Sequence, residues 1–208
     1  MREGESKTDH YEDILGTYLV KLSALKISEN DSSEAAMLLK ALSDFERIGD
    51  HALNLVESAE ELKSKNLALS DAARHELNVL LRAVEEIVDM TFQAFRDDDL
   101  EKAYRVEPLE QVIDILVERL RAQHIKRLKD GACSIDTGVV YLDVLNNVER
   151  ISDHCSNIAA RLVGMEAGED YDSHTLKNMM HHNPTKEYML NYEQCRRDYL
   201  VPLEQLEA

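Results

Sequence analysis

Apolar residues recur every three or four positions along most of the chain, which is the spacing of one face of an α-helix. The clearest case runs from about residue 32 to 65, where the apolar positions are Leu38, Leu39, Leu42, Phe45, Leu53 and Val56. The same period predicts further helices over about 11–25, 70–95, 100–129, 135–165 and 184–199. Six main helices with short connections predict an all-α protein built as an antiparallel bundle.

Capping residues mark several of the predicted helix starts. Asp31 and Glu34 have the spacing of a capping box at the start of the second helix. Ser70 is the predicted N-cap of the third helix. Asn183 is the predicted N-cap of the last helix, with Pro184 at its first position.

The helical pattern contains an internal duplication. Residues 42–54, LSDFERIGDHALN, reappear as residues 145–157, LNNVERISDHCSN, with seven identities in thirteen positions. The preceding helix repeats as well, since Asp-Ile-Leu occurs at both 13–15 and 114–116. We therefore predict two tandem three-helix bundles related by a pseudo-twofold repeat. The first covers residues 9–98 and the second 99–200, and together they form one compact domain.

Composition supports a helical protein and restricts its partners. Seven glycines and three prolines in 208 residues are too few for the turns of an all-β domain. A net charge of −17 disfavours nucleic acid and anionic membrane surfaces, and it favours cations and basic proteins. Three widely spaced cysteines predict a reducing compartment, and no apolar run approaches the ~20 residues that span a bilayer. We therefore expect a soluble chain that resides in a reducing compartment and does not itself insert into a membrane.

Four pairs of acidic residues share the spacing i, i+4, which places both carboxylates on one face of a helix. The duplicated segment supplies two of these pairs, and the helix before it supplies the other two. The pairs are Glu46 with Asp50, Glu149 with Asp153, Asp9 with Asp13, and Glu110 with Asp114.

The helical position of these acids favours a bound cation. On a wheel centred on Leu42, Glu46 lies ~40° away within the apolar stripe, and Asp50 lies ~80° away at its edge. Carboxylates on a buried face cost free energy unless they are paired or coordinated. We therefore predict metal binding by oxygen ligands, which suits Mg²⁺, Ca²⁺, Mn²⁺ or iron. The alternative is that Arg47 and Arg150, or basic residues on neighbouring helices, form salt bridges with the acids.

The histidines and the known catalytic motifs offer little support for chemistry. His51 and His154 follow the acidic motif, but they lie ~180° from the central leucine, so we predict a surface or inter-unit role for them. No Glu lies three residues before any histidine, which disfavours a ferritin-like di-iron site. The sequence also lacks HExxH, GxSxG and a glycine-rich phosphate loop. We therefore predict that the protein is not an enzyme.

The segments ERIGDH at 46–51 and ERISDH at 149–154 resemble the PhoU family of phosphate-uptake regulators. The hallmark of that family is a tandem pair of three-helix bundles, each with an Asp/Glu-x-x-x-Asp motif. The resemblance covers roughly residues 9–165. Residues 172–199 resemble the tail of a narrower group, the cytoplasmic PhoU-like domain of bacterial Na⁺/phosphate cotransporters.

This resemblance implies a non-enzymatic, metal-binding regulatory domain of phosphate transport, with clusters of iron or zinc on the bundle surface. The implied ligands are Glu46, Asp50, Glu149 and Asp153, followed by Glu110 and Asp114, and then by Asp9 and Asp13. The implied partners are the membrane domain of a transporter or phosphate-signalling proteins, and a homodimer is compatible with this interpretation.

On the cotransporter interpretation, the chain lies in the cytoplasm and is held at the membrane through a transporter domain that this sequence does not contain. The alternative is a stand-alone PhoU-type regulator or adaptor bundle whose acidic pairs make only salt bridges.

Overall fold

The protein is helical throughout the part of the chain that the computed structural model describes, which comprises residues 2–167 and 184–206 together with residues 175, 178 and 180. The helices are α1 (Arg2–Ser23), α2 (Glu29–Ser64), α3 (Asp71–Asp97), α4 (Leu100–Lys129), α5 (Ile135–Ala167) and α6 (Lys186–Cys195). A π-helical turn (Arg196–Leu200) joins α6 to the short α7 (Val201–Leu206). The predicted all-α fold is confirmed.

The helix starts follow local capping chemistry, with one correction to the predicted caps. Ser28, and not Asp31, is the N-cap of α2, and Asp31 is the reciprocal partner in the capping box. Ser70 caps α3 as predicted. Thr185 caps α6, and the predicted cap Asn183 lies outside the described residues.

α5 is the central helix, and it packs against α2, α3 and α4. α3 lies against α4 and α5, whereas α1 packs against α2. The fully buried side chains of Ile87, Leu116 and Ile158 show that most of the core lies among α3, α4 and α5.

The interhelical contacts therefore do not follow the predicted division between residues 98 and 99, because α3 packs with the helices that follow it. A helix buries its apolar face wherever a complementary face is available, and its order in the chain does not determine the choice. As limits of two duplicated units, the ranges 9–98 and 99–200 stay a prediction.

The two copies of the duplicated helix, α2 and α5, meet through a polar contact that follows the pseudo-twofold symmetry. The rings of His51 and His154 stack with their centroids 5.8 Å apart. His51 Nδ1 lies 2.8 Å from Asn147 Oδ1, and His154 Nδ1 lies 2.8 Å from Asp44 Oδ1. Since position 44 corresponds to position 147 in the repeat, the two contacts are equivalent. Of the two roles predicted for these histidines, at the surface or between the units, the structure shows the second.

The Asp44 side of this contact is charged and buried. Asp44 is only 5% exposed, accepts a hydrogen bond from Asn157 Nδ2 at 3.2 Å, and forms an ion pair with Arg161. Burial lowers the pKa of His154 from its ordinary value, and repulsion from the Arg47 guanidinium acts in the same direction. A neutral imidazole beside Asp44 leaves Arg161 as the cation that compensates the buried carboxylate.

Gly138 in the first turn of α5 leaves room for the buried imidazole of His124 on α4. A β-carbon at position 138 would lie 2.8 Å from His124 Nε2, and His124 is 1% exposed and cannot move into solvent. We therefore expect Gly138→Ala to lower the free energy of unfolding by about 1–2 kcal/mol, since overpacking outweighs the gain in helix propensity. Urea unfolding followed by circular dichroism measures the change.

The matched control is Gly4→Ala in α1, where an added β-carbon would have no neighbour within 4 Å. We expect that variant to be neutral or slightly stabilising. Equal unfolding midpoints for the two variants would contradict the steric argument.

Candidate metal centre

Acidic residues of the first repeat come together where α1 packs alongside α2. The helices approach closely at Gly49, since a β-carbon there would lie 3.9 Å from the side chain of Thr8. One carboxylate oxygen from each of Glu5, Asp9 and Asp50 lies within 4.8 Å of the others. This spacing allows three carboxylates on two helices to share one cation.

Glu46 belongs to the same group of acids. Burial raises its pKa above the ordinary value, and a hydrogen bond with Asp50 and the negative charges of Asp50 and Asp9 raise it further. The pKa of Glu5 is also raised, by desolvation first and then by Asp9 and Asp50. The raised pKa values of Glu5 and Glu46 beside Asp9 and Asp50 show that this group of four carboxylates favours a bound proton or a metal cation.

Two residues differ from the sequence-based prediction for this site. Asp13 is exposed and is not among the three acids that share the 4.8 Å spacing. Glu5 was not predicted, although it precedes Asp9 by four residues and so has the same i, i+4 spacing as the predicted pairs. The run Glu5, Asp9 and Asp13 was a detectable signal, and only the packing of α1 against α2 places the first two beside Asp50.

The second repeat places a guanidinium among its acids. Arg121 of α4 donates from Nη2 to Glu149 Oε2 at 2.6 Å and to Asn146 Oδ1 at 2.6 Å. Asp153 lies 3.9 Å from Arg150 Nη1. The repeat alignment puts Val20 at the position of Arg121, so the first repeat has no counterpart of this cation. The two repeats therefore differ in electrostatics although their motifs match.

The other predicted pair of the second repeat lies beside the tail of the chain. Glu110 is 1% exposed, and α6 packs along α4 next to it, where the Tyr188 hydroxyl donates to Gln111 Oε1 at 2.9 Å. Burial raises the pKa of Tyr188, and the charges of Glu107 and Glu110 add to the shift. Asp114 is half-buried. Access to this pair is therefore more restricted than access to the acids of the first repeat.

The donor set of the first repeat consists of carboxylates alone. Hard cations such as Fe²⁺ or Fe³⁺, Mn²⁺, Mg²⁺ and Ca²⁺ match such a set, whereas zinc sites usually include histidine or cysteine. His51 points to the inter-repeat contact with Asn147 and is not part of the group. The residues present fit iron or another hard cation better than zinc.

This fold and this site define a class of protein, which is a duplicated helical domain with a group of carboxylates at its repeated motif. A family model described as the PhoU domain matches residues 1–59 and 77–162, which is more than half of the chain. The chain belongs to the PhoU family.

Proteins with similar sequences are also described as PhoU proteins. The chain is 27% identical over 133 residues to the phosphate-specific transport system accessory protein PhoU homolog 1 of Thermotoga maritima, covering 64% of this chain and 56% of the relative. It is 30% identical over 135 residues to the PhoU homolog of Streptococcus pneumoniae, covering 65% and 61%. The chain thus matches less than two thirds of the length of these relatives.

A crystal structure of the phosphate transport system regulatory protein PhoU from Streptococcus pneumoniae has the same fold. It superposes with a TM-score of 0.69 at 25% sequence identity, over 82% of this chain and 79% of that one. The names of these proteins are those of accessory and regulatory proteins and not of cotransporters. Among the helices described here, none has the length and apolar character needed to cross a membrane.

Proposed function

We propose that this chain is a PhoU-type, non-enzymatic regulator of phosphate transport that binds a multivalent cation in its first repeat. Family membership and the descriptions of its relatives support the regulatory part. The observation that supports the metal part is the convergence of Glu5, Asp9 and Asp50 within 4.8 Å, beside Glu46 with its raised pKa.

The residues of the first repeat would act by joining two helices. Glu5 and Asp9 come from α1, and Glu46 and Asp50 come from α2, so a cation held by both pairs ties α1 to α2. The cation supplies only positive charge, which offsets the repulsion between the carboxylates. The neutralised and more rigid face of the bundle then serves as a docking surface for a transporter or a phosphate-signalling protein in the cytoplasm.

In the second repeat, the contacts favour the alternative interpretation, in which the acidic pairs make salt bridges and do not bind a metal. The ion pair between Arg121 and Glu149 already compensates one carboxylate, as expected for an adaptor bundle in which acidic pairs make salt bridges. We propose that Glu149, Asp153, Glu110 and Asp114 stabilise the second bundle and contribute less to metal binding than their counterparts.

The regulatory proposal is tested in cells. Phosphate uptake is measured with and without the gene for this chain, at high and at low external phosphate, and the gene is then restored. We expect the response of uptake to external phosphate to weaken without the chain and to return with it. Identical uptake in all strains would refute the regulatory role. Attachment to a cotransporter is a separate prediction, tested by whether apolar spans are encoded upstream in the same reading frame.

The metal proposal is tested by elemental analysis of protein purified without a chelator, with Val20→Arg as the diagnostic variant. We expect bound iron or another hard cation in the wild type. Val20→Arg copies the position of Arg121 into the first repeat, so it places a guanidinium near Glu46 and weakens cation binding about tenfold or more. Titration calorimetry measures the affinity.

The control for this variant is Val20→Leu, which changes the same side chain without adding charge. We expect it to bind cations as the wild type does. If no hard cation binds the wild type, or if Val20→Arg binds as tightly as Val20→Leu, the proposed centre is wrong while the regulatory role can still hold.

A further inference from the structure

A cleft with an apolar lining lies where the first part of α2, the end of α5 and the turn between α3 and α4 meet. We call it the α2–α5 cleft. Its volume is about 280 Å³, and its apolar lining consists of Met37, Leu38, Phe95, Leu100, Leu162 and Met165. Leu162 is 6% exposed and belongs to the core, whereas Met165 is 40% exposed. The apolar lining therefore runs from the core to the surface.

The charged side chains that line the cleft are all acidic among the described residues. α2 supplies Glu34, the turn between α3 and α4 supplies Asp98, and α5 supplies Glu166. All three are exposed. We call these three acids the rim. An apolar lining with a rim of a single charge sign can recognise a partner by shape and by charge at once.

The rim acids have no cationic partner in the described part of the chain. Asp97 forms an ion pair with Arg96, and Asp99 forms one with Lys102. Asp98 lies between them and forms no ion pair with a described residue, and the same is true of the other two rim acids. Three negative charges without a compensating cation favour a partner that brings positive charge.

We propose that the α2–α5 cleft is a docking site for a basic amphipathic segment of another protein. The segment inserts one apolar side chain into the cleft and places lysine or arginine beside the rim, which is a recurring mode of peptide recognition. A volume of about 280 Å³ is small beside the ~300–1,000 Å³ of pockets that enclose small molecules, and it suits a single anchor side chain. Met37 and Met165 are flexible, so the lining adapts to the anchor.

Charge complementarity selects this occupant over others. A nucleic acid and an anionic membrane both bring negative charge to the rim. A second copy of this chain has a net charge of −17 and meets the same repulsion. A basic segment is the partner whose charge offsets that of the rim.

This inference names the chemistry of the partner for the docking role in the proposed function, and it rests on that function for its biological purpose. The cleft is nevertheless separate from the candidate metal centre. Asp50 follows Leu38 by twelve residues in α2, which is ~18 Å along the helix axis. Binding at the cleft can therefore be measured on metal-free protein.

Titration calorimetry of the full chain in a chelating buffer tests the proposal. The probe is a helical peptide of about 14 residues, with phenylalanine and leucine on one face and lysine on the other. We expect a dissociation constant of roughly 10 µM, which rises about tenfold between about 50 and about 500 mM salt because the charges are screened. Replacing the phenylalanine of the probe by alanine weakens binding about tenfold.

The rim variant combines Glu34→Gln, Asp98→Asn and Glu166→Gln. Asparagine tolerates the left-handed backbone at position 98, where φ is +52°, so α3 keeps its C-terminal cap. We expect this variant to raise the dissociation constant about tenfold or more. Circular dichroism checks that it keeps the helical fold.

The matched control combines Glu85→Gln, Glu118→Gln and Asp143→Asn, which are exposed acids outside the cleft. It changes the net charge by the same amount as the rim variant, so it has the same effect on non-specific attraction. We expect it to bind the probe as the wild type does. Equal losses for the rim variant and this control overturn the proposal.

Met165→Gln tests the apolar lining, because it keeps the length of the side chain and makes its end polar. We expect it to raise the dissociation constant about fivefold, whereas Val139→Gln, at a 55% exposed position of α5 outside the cleft, leaves it unchanged.

A wild type that does not bind the probe overturns the proposal. Binding that depends on the rim but is unaffected by Met165→Gln assigns the rim to small polycations and overturns it as well. Neither result bears on cation binding by the first repeat or on the response of phosphate uptake, which are measured separately.

Discussion

Asp44→Ala is expected to lower the free energy of unfolding by about 3 kcal/mol, the largest single effect that the fold predicts. Asp44 is 5% exposed and accepts from Asn157, contacts His154 and pairs with Arg161 at the boundary between the two repeats. The alanine removes the carboxylate but leaves the guanidinium of Arg161 in a site where only 17% of its side chain is exposed. Loss of a buried counter-charge costs more than loss of a neutral hydrogen bond.

The repeat provides the control for this experiment. Asn147 occupies the corresponding position, where its Oδ1 accepts a hydrogen bond from Asn54 at 3.0 Å and contacts His51, and none of its hydrogen bonds in the described part of the chain involves an arginine. We expect Asn147→Ala to cost about 1 kcal/mol. Chemical unfolding at pH 7 measures both variants. Equal losses for Asp44→Ala and Asn147→Ala would contradict the view that the charge of Asp44 dominates this interface.

Asp50→Asn is expected to reduce cation affinity about 100-fold, because it removes one of the three carboxylates that converge in the first repeat. Asp153→Asn is the matched variant at the corresponding position of the second repeat. We expect it to leave the affinity of the first site unchanged. Titration calorimetry with Mn²⁺ or Fe²⁺ separates the two, and equal losses would contradict the assignment of the site to the first repeat.

Asp50→Asn, which weakens cation binding, should favour the folded state of the metal-free protein at neutral pH. The pKa of Glu46 is raised in the folded state, so the folded protein binds a proton more tightly than the unfolded chain does. That stability is fully present below the unfolded pKa of about 4.3, and it is lost as pH rises through the folded pKa. Asp50→Asn removes the main charged cause of the shift, so the metal-free variant should lose less stability as pH rises.

Helix positions were largely predictable from the sequence because they depend on neighbours in the chain. The 3.6-residue period located the helices, and Ser70 caps α3 as its local chemistry predicts. The start of α1 was predicted near residue 11, whereas the helix begins at Arg2, because the polar residues before Tyr11 have no apolar period to detect. The wheel positions of His51 and His154 also sufficed to remove them from the predicted metal site.

The composition of the candidate site was only partly predictable. Glu46, Asp50 and Asp9 were among the predicted ligands, and the structure brings them together with Glu5. The sequence treated the two repeats as equal because their motifs match. The electrostatic difference between the repeats depends on Arg121 and its counterpart Val20. These residues lie on a different helix from the motif, so the sequence of the motif itself could not predict their contacts.

The sequence by itself determined the helices, the duplication and the family, because periodicity and repetition are properties of residues close together or aligned along the chain. Only the tertiary structure decided that α3 joins α4 and α5, that α1 leaves Tyr11 and Tyr18 exposed, and that Arg121 forms an ion pair with Glu149 of the second repeat. Those outcomes depend on which helix faces which, and that is determined by the competition among apolar faces for burial and among charges for partners.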